Sequence, residues 1–131
     1  MNTMRKPILV VEDERDIREN MVMLLEDEGY VVYSASNGKE ALEVLRDPSN
    51  SLPGLIALDF YMPVMDGRAF LDAFEIERRE KNLPQVTILL VTAATAQARA
   101  ELESKTVGVL RKPIDIEEFI AVVEKYCQNT H

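Results

Sequence analysis

Five short β-favouring runs, each followed by a stretch of helical periodicity, constrain this chain more tightly than any other feature of its sequence. Two of them, Ile8 to Val11 and Leu55 to Leu58, are apolar at every position, the form of a strand covered on both faces. Tyr30 to Ser34, Val86 to Val91 and Val107 to Leu110 complete the set. The first helix, Arg15 to Glu28, sets Ile17, Met21, Leu24 and Leu25 at helical spacing and meets a stop signal at Gly29. Asn37 followed by Glu40 opens the second in the manner of a capping box, with Ala41, Leu42 and Leu45 on one side. Asp47 to Gly54, with Pro48 and Pro53, is the clearest loop. Phe70, Leu71 and Phe74 mark a third helix whose charged run, Glu75 to Lys81, reads as a solvated end before Pro84. Ala93 to Lys105 predicts a fourth with a thin apolar face. Asp115 with Glu118 opens the last, which carries Ile116, Phe119, Ile120, Val123 and Tyr126. Such alternation argues for an α/β, doubly wound, five-stranded parallel sheet, since right-handed crossovers place helices on both faces. The flavodoxin-like order 2-1-3-4-5 is the simplest at this size.

At 131 residues the chain is one domain, with a core from about Pro7 to Tyr126 and no output domain expected. A net charge of -8 and a pI near 4.7 argue against a nucleic-acid surface and favour proteins or a cation as partners. The single cysteine, Cys127, allows no internal disulfide and reads as a half-buried thiol on the last helix. Four apolar residues after Arg5 and Lys6 are too few for a signal-peptide core or a membrane span, so a cytoplasmic protein without membrane insertion is expected.

In a sheet of this kind the carboxyl ends of all strands share one edge, where ligands bind. The first run ends in Glu12 and Asp13, the third in Asp59, the fourth in Thr92 and the fifth in Arg111 and Lys112. Each alone has a plain explanation: acids suit a helix N-terminus, Thr suits a strand end, and a lysine snorkels. Together they are hard to explain that way. Three adjacent carboxylates repel and raise one another's pKa unless a divalent cation neutralises them. Hard oxygen ligands suit Mg²⁺, which binds through one or two carboxylates at about 2.0 to 2.1 Å and keeps several waters. Carboxylates, a hydroxyl and an amine around such an ion make a phosphoryl site, in which Asp59 attacks in line.

These residues resemble a response-regulator receiver domain, the CheY-like phosphoacceptor module of two-component signalling, over about Pro7 to Tyr126. The resemblance implies that Asp13 binds the metal directly and Glu12 through water, that Asp59 is the phosphoacceptor, and that the Tyr61 backbone carbonyl is a further Mg²⁺ ligand. It assigns Thr92 as the switch hydroxyl and Lys112 as the family's lysine, with a cis Lys112-Pro113 bond. Met62, Pro63, Met65, Asp66 and Gly67 complete the loop signature. The implied partners are a histidine kinase or phosphotransfer protein and a downstream protein target. The implied output is a two-state surface made by the fourth helix, fifth strand and last helix. Such a domain is a switch with self-catalysed phosphorylation and dephosphorylation rather than an ordinary enzyme.

Other readings fit less of the chain. An aspartyl-phosphate phosphatase of the haloacid-dehalogenase type carries a second acid two residues after the nucleophile, where this chain has Tyr61. A dinucleotide-binding fold needs a Gly-rich turn where Val11-Glu12-Asp13-Glu14 stands. A pseudo-receiver without a phosphoryl cycle draws support from Val109, which replaces the family's usual ring, and from a segment between Thr92 and Lys112 that looks about two residues short. Tyr61 is also bulky at a position thought to control water access to the phosphoryl group. The resemblance therefore predicts slow autodephosphorylation, followed as loss of phosphoryl from the purified protein; a lifetime of only seconds would contradict it.

Overall fold

In the computed structural model, which describes residues 6–60, 62, 64–93, 96, 100 and 108–127, the strands are β1 (Ile8–Val11), β2 (Val32–Ala35), β3 (Leu55–Leu58), β4 (Thr87–Thr92) and β5 (Gly108–Arg111). All pair in parallel, in the order β2-β1-β3-β4-β5, the expected doubly wound arrangement. The helices are α1 (Arg15–Asp27), α2 (Gly38–Arg46), α3 (Gly67–Glu80) and α4 (Ile116–Cys127). The register keeps the strands in step: Val11 lies opposite both Ala35 and Leu58, Leu58 opposite Leu90, and Thr92 opposite Arg111. One edge of the sheet therefore gathers the residues that follow β1, β3 and β5.

The all-apolar strands are buried because both faces carry helices. Leu9, Val11, Ile56, Leu58, Ile88 and Leu90 pack against Ala41 and Leu42 of α2 and Phe70, Leu71 and Phe74 of α3. The alternate residues Ile8, Val10, Leu55, Ala57, Leu89 and Val91 face Met21 and Leu25 of α1 and Phe119 and Val123 of α4. Each large side chain so buried contributes about 1.5 to 3 kcal/mol of transfer free energy, and the two clusters clamp the sheet from both sides. Among the described residues, no helix is long and apolar enough to cross a membrane.

Local signals set the helix starts. The Asn37 side chain accepts from the Glu40 amide at 2.9 Å, and the Glu40 carboxylate takes the amide and hydroxyl of Ser36, one residue before the reciprocal partner of a standard capping box. Asp66 and Asp115 cap α3 and α4 by accepting from the amides of Ala69 and Glu118. The second strand begins later than its sequence suggests. Gly29, at φ 93°, turns the chain, and the Tyr30 amide donates to Leu25 at the end of α1, so Tyr30 closes that helix instead of entering the sheet. Val107 and most of the predicted fourth helix lie outside the described residues, as does the Cys127 side chain.

The charged run that closes α3 is regular helix to Glu80, held by its own ion pairs. Arg78 forks onto both oxygens of Glu75 at 3.0 and 2.8 Å, Arg79 adds a third bond at 2.8 Å, and Arg46 of α2 grips Glu77. The Arg78 hydrogen bonds are the chief reason the Glu75 carboxyl lies at about 2, well below the usual 4.5. A carboxyl depressed by folding adds stability above its unfolded value and loses that contribution as pH falls through the folded one. Because the Glu75 side chain is 37 % exposed, solvent screening limits the gain to about 1 kcal/mol. Chemical denaturation should show wild type more stable than Glu75→Gln by up to that amount at neutral pH. The gap should narrow between 4.5 and about 2, and a pH-independent gap would exclude this ion pair as its source.

Candidate functional site

The sheet's hydrogen bonding continues one residue past β1 and β3, and this sets two acids at its rim. The Glu12 amide donates to Ala35 and the Asp59 amide to Val11, both at 3.0 Å. Both residues are buried, at 1 % and 6 % exposure, whereas Asp13 is exposed. Lys112 is tied to the neighbouring strand by its own amide, which donates to the Thr92 carbonyl at 3.1 Å, and the Lys112-Pro113 peptide is cis as expected. From there its ammonium reaches Glu12 Oε1 at 2.7 Å and Asp59 Oδ2 at 3.1 Å. Thr92 ends β4, beside β3 in the sheet, and is 1 % exposed.

The loop after Asp59 is drawn tightly back on the strand. The Gly67 amide donates to the Phe60 carbonyl at 2.8 Å, and a Cβ on Gly67 would stand 3.0 Å from both the Asp59 oxygen and the Phe60 Cα. Backbone atoms yield less readily than a flexible side chain, so the close approach of Gly67 to this strand end favours glycine. Tyr61 and Pro63 lie outside the described residues. The carbonyl assigned to Mg²⁺ at Tyr61 therefore remains an expectation from the sequence.

Oxygens of Glu12, Asp13 and Asp59 all lie within 4.8 Å of one another. Two oxygens bound to one Mg²⁺ stand at most about 4 Å apart, and a bridging water widens that reach. The trio therefore fits a hydrated divalent ion such as Mg²⁺. Repulsion among the acids is met in part within the chain, because Lys112 already bridges the two buried ones. Burial is the main influence raising the Glu12 carboxyl above its ordinary range, and the nearby Asp59 charge adds to it; the Lys112 bond and the Glu14 amide, 3.0 Å from Glu12 Oε2, oppose it. For Lys112 burial again disfavours charge, but its bond to Glu12 and the charges of Asp59 and Glu12 outweigh it and raise its pKa. The two shifts differ in sense, with the charged form disfavoured at Glu12 and favoured at Lys112, because Glu12 is the deeper partner and loses more hydration than one ammonium returns.

Sequence reasoning missed Arg18, whose Nη1 donates to the carbonyl oxygens of Glu12 at 2.9 Å and Asp13 at 3.5 Å. The available signal was a basic residue near the start of a helix, where the helix dipole disfavours positive charge. Removing Lys112 exposes the other side of the charge balance. Lys112→Met should cost about 3 kcal/mol at neutral pH by removing the ammonium that bridges two buried carboxylates, and Lys112→Met/Asp59→Asn should recover part of that loss. Urea denaturation of both variants checks this, and equal stability of the single variant and wild type would refute it.

Residues 8–124 match the family model described as the response regulator receiver domain. Among curated relatives, a 14.6 kDa protein from the sodA1 3′ region of Leptolyngbya boryana is 42 % identical, over 92 % of this chain and 88 % of its own. Sporulation initiation phosphotransferase F of Bacillus subtilis is 32 % identical over 94 % of both chains. Against other curated relatives the chain spans only about half their length, 46 %, 52 % and 51 % in three cases. The solved structure of the Vibrio cholerae chemotaxis protein CheY4 superposes with a TM-score of 0.80 at 28 % identity, covering 94 % of this chain and 99 % of that one. With the fold, the acidic rim and the sequence match all agreeing, this chain belongs to the response regulator receiver domain family.

Proposed function

We propose that this receiver domain is a Mg²⁺-dependent phosphorylation switch with Asp59 as its acceptor. The observation that carries the reading is the placement of Asp59. It is nearly buried at a strand end, with the Lys112 ammonium 3.1 Å from Oδ2 and the oxygens of Glu12 and Asp13 close by. In the transfer, an Asp59 carboxylate oxygen forms a bond to phosphorus as the bond from phosphorus to the donor breaks. The electron pair stays with the donor, a phosphohistidine imidazole or a small acyl phosphate. Lys112 holds the carboxylate oriented beforehand and offsets charge on the phosphoryl oxygens afterwards. A Mg²⁺ ion held by Asp13, Asp59 and, through water, Glu12, with the Tyr61 carbonyl, would supply the remaining positive charge. Thr92, buried at the end of β4, would supply the hydroxyl that moves onto the phosphoryl group.

A histidine kinase or phosphotransfer protein is the partner that supplies phosphoryl, and a protein target in the cytoplasm is the partner that reads the switch. The phosphotransferase named among the relatives supports such a relay. DNA binding belongs, by its printed name, to the longer relative MtrA, and the acidic charge of -8 here supports a protein contact instead. A second reading, a pseudo-receiver that binds partners without a phosphoryl cycle, is favoured by Val109, a residue too short to act as a rotating ring, and by the short segment from Thr92 to Lys112.

Acetyl phosphate with Mg²⁺ distinguishes the two. Intact mass should show one phosphoryl group on wild type, none on Asp59→Asn, and none on wild type once the metal is chelated. Beryllofluoride with Mg²⁺ should shift the amide resonances of wild type only. If neither reagent changes wild type, the switch is ruled out and the pseudo-receiver stands.

A further inference from the structure

We infer that Arg18 is a positioning residue for the acid pair, holding the backbone that carries Glu12 and Asp13 so that both carboxylates face Asp59. The inference rests on the site reading above and adds a residue to it. Arg18 lies one turn into α1 and is half-buried. Its Nη1 takes the Glu12 carbonyl at 2.9 Å and leans on the Asp13 carbonyl at 3.5 Å. Neither contact touches a carboxylate, and the Arg18 charge acts at longer range on the Glu40 carboxylate. A guanidinium beside acids ordinarily forks onto one of them; here it binds the peptide oxygens behind them and leaves their side chains unblocked.

The segment it holds has few other ties. Glu12 is the last residue with a ladder bond, from its amide to Ala35, and α1 begins at Arg15. The N-cap residue Glu14 makes no capping bond with its own side chain; its amide instead donates to Glu12 Oε2 at 3.0 Å. The connection is therefore held from opposite sides: Arg18 holds its carbonyls, while the Glu14 amide and the Lys112 ammonium orient the Glu12 carboxylate. Without Arg18 the peptides of Glu12 and Asp13 can rotate, and the spacing of the three acids is no longer set in advance.

The sign of one measurement separates positioning from electrostatics. Taking a positive charge away from an acidic site should by Coulomb's law tighten binding of a cation. Loss of positioning should weaken it. Mg²⁺ titrations followed by amide NMR are expected to give an affinity for Arg18→Ala about tenfold lower than wild type, from the loss of a charged hydrogen bond. Arg18→Lys, which keeps the charge and one donor, should fall between. With no Mg²⁺ present, the Glu14 amide should exchange with solvent faster in Arg18→Ala while amides of the central strand β3 keep their protection. Affinity equal to or tighter than wild type in Arg18→Ala would overturn the proposal. Should Arg18→Ala not fold, Arg18→Lys decides: wild-type affinity together with wild-type Glu14 exchange would overturn it equally. If wild type itself binds no Mg²⁺, the reading of the site fails and takes this proposal with it. Wild-type binding that Arg18→Ala leaves undiminished removes only the role of Arg18.

Discussion

Lys112 touches both buried carboxylates of the sheet edge, and that shared ammonium depends on every level of the fold beneath it. It requires β1, β3 and β5 to be parallel and in step, so that residues far apart in the chain finish at the same height. It requires the ladder to run past the strand ends and pin the backbones of Glu12 and Asp59. It also requires two apolar clusters strong enough to hold charges below the surface, because desolvating an ion costs several kcal/mol even when it is paired. Hydrophobic packing on both faces thus does more than stabilise the sheet. It fixes the distances on which the edge chemistry depends.

The parts of this arrangement that sequence made legible are those where one physical signal had no competitor. Ile8 to Val11 and Leu55 to Leu58 are apolar at every position, and burial on both faces is what such a run requires. Asp59 after Leu58 and Glu12 after Val11 follow from knowing where a strand stops. Tyr30 was less legible: an aromatic residue is as suited to closing the apolar turn after α1 as to starting β2, and only tertiary context chooses between them. Val107 to Leu110 likewise gave the strand but not its end, because Arg111 joins β5 only by lying opposite Thr92. The acid cluster could be read as a set, yet its charge balance could not. Sequence placed Lys112 near Asp59, but its shorter contact is with Glu12, a distance that depends on how the chain leaves β5. Arg18 was harder to read for a related reason, since its partners are backbone carbonyls and only its unfavourable place near a helix start marked it.

Val109 narrows how any change at this edge can travel through the domain. It is half-buried, packs with the cluster on the α2 and α3 side, and lies opposite Leu90. With two methyl groups on a single torsion, it has no long side chain to swing between an inward and an outward position. The tie between the ends of β4 and β5 is instead made by backbone, the Lys112 amide on the Thr92 carbonyl. Val109 therefore supplies no ring to swing at this position, and the two strand ends are joined through their backbones.

Stability alone gives no reason to keep this edge acidic. Replacing a buried ion pair with well-packed apolar residues of similar volume is often neutral or favourable, and the rest of the core consists of such residues. Glu12, Asp13 and Asp59 instead set three negative charges against the one ammonium that touches two of them, leaving an excess of two. A divalent cation is the simplest species that removes that excess without displacing Lys112. Arg18 binds the carbonyls of Glu12 and Asp13 rather than their carboxylates, and so occupies none of the oxygens an ion would use. The edge is therefore arranged to retain uncompensated charge at a place where the surrounding fold holds it still.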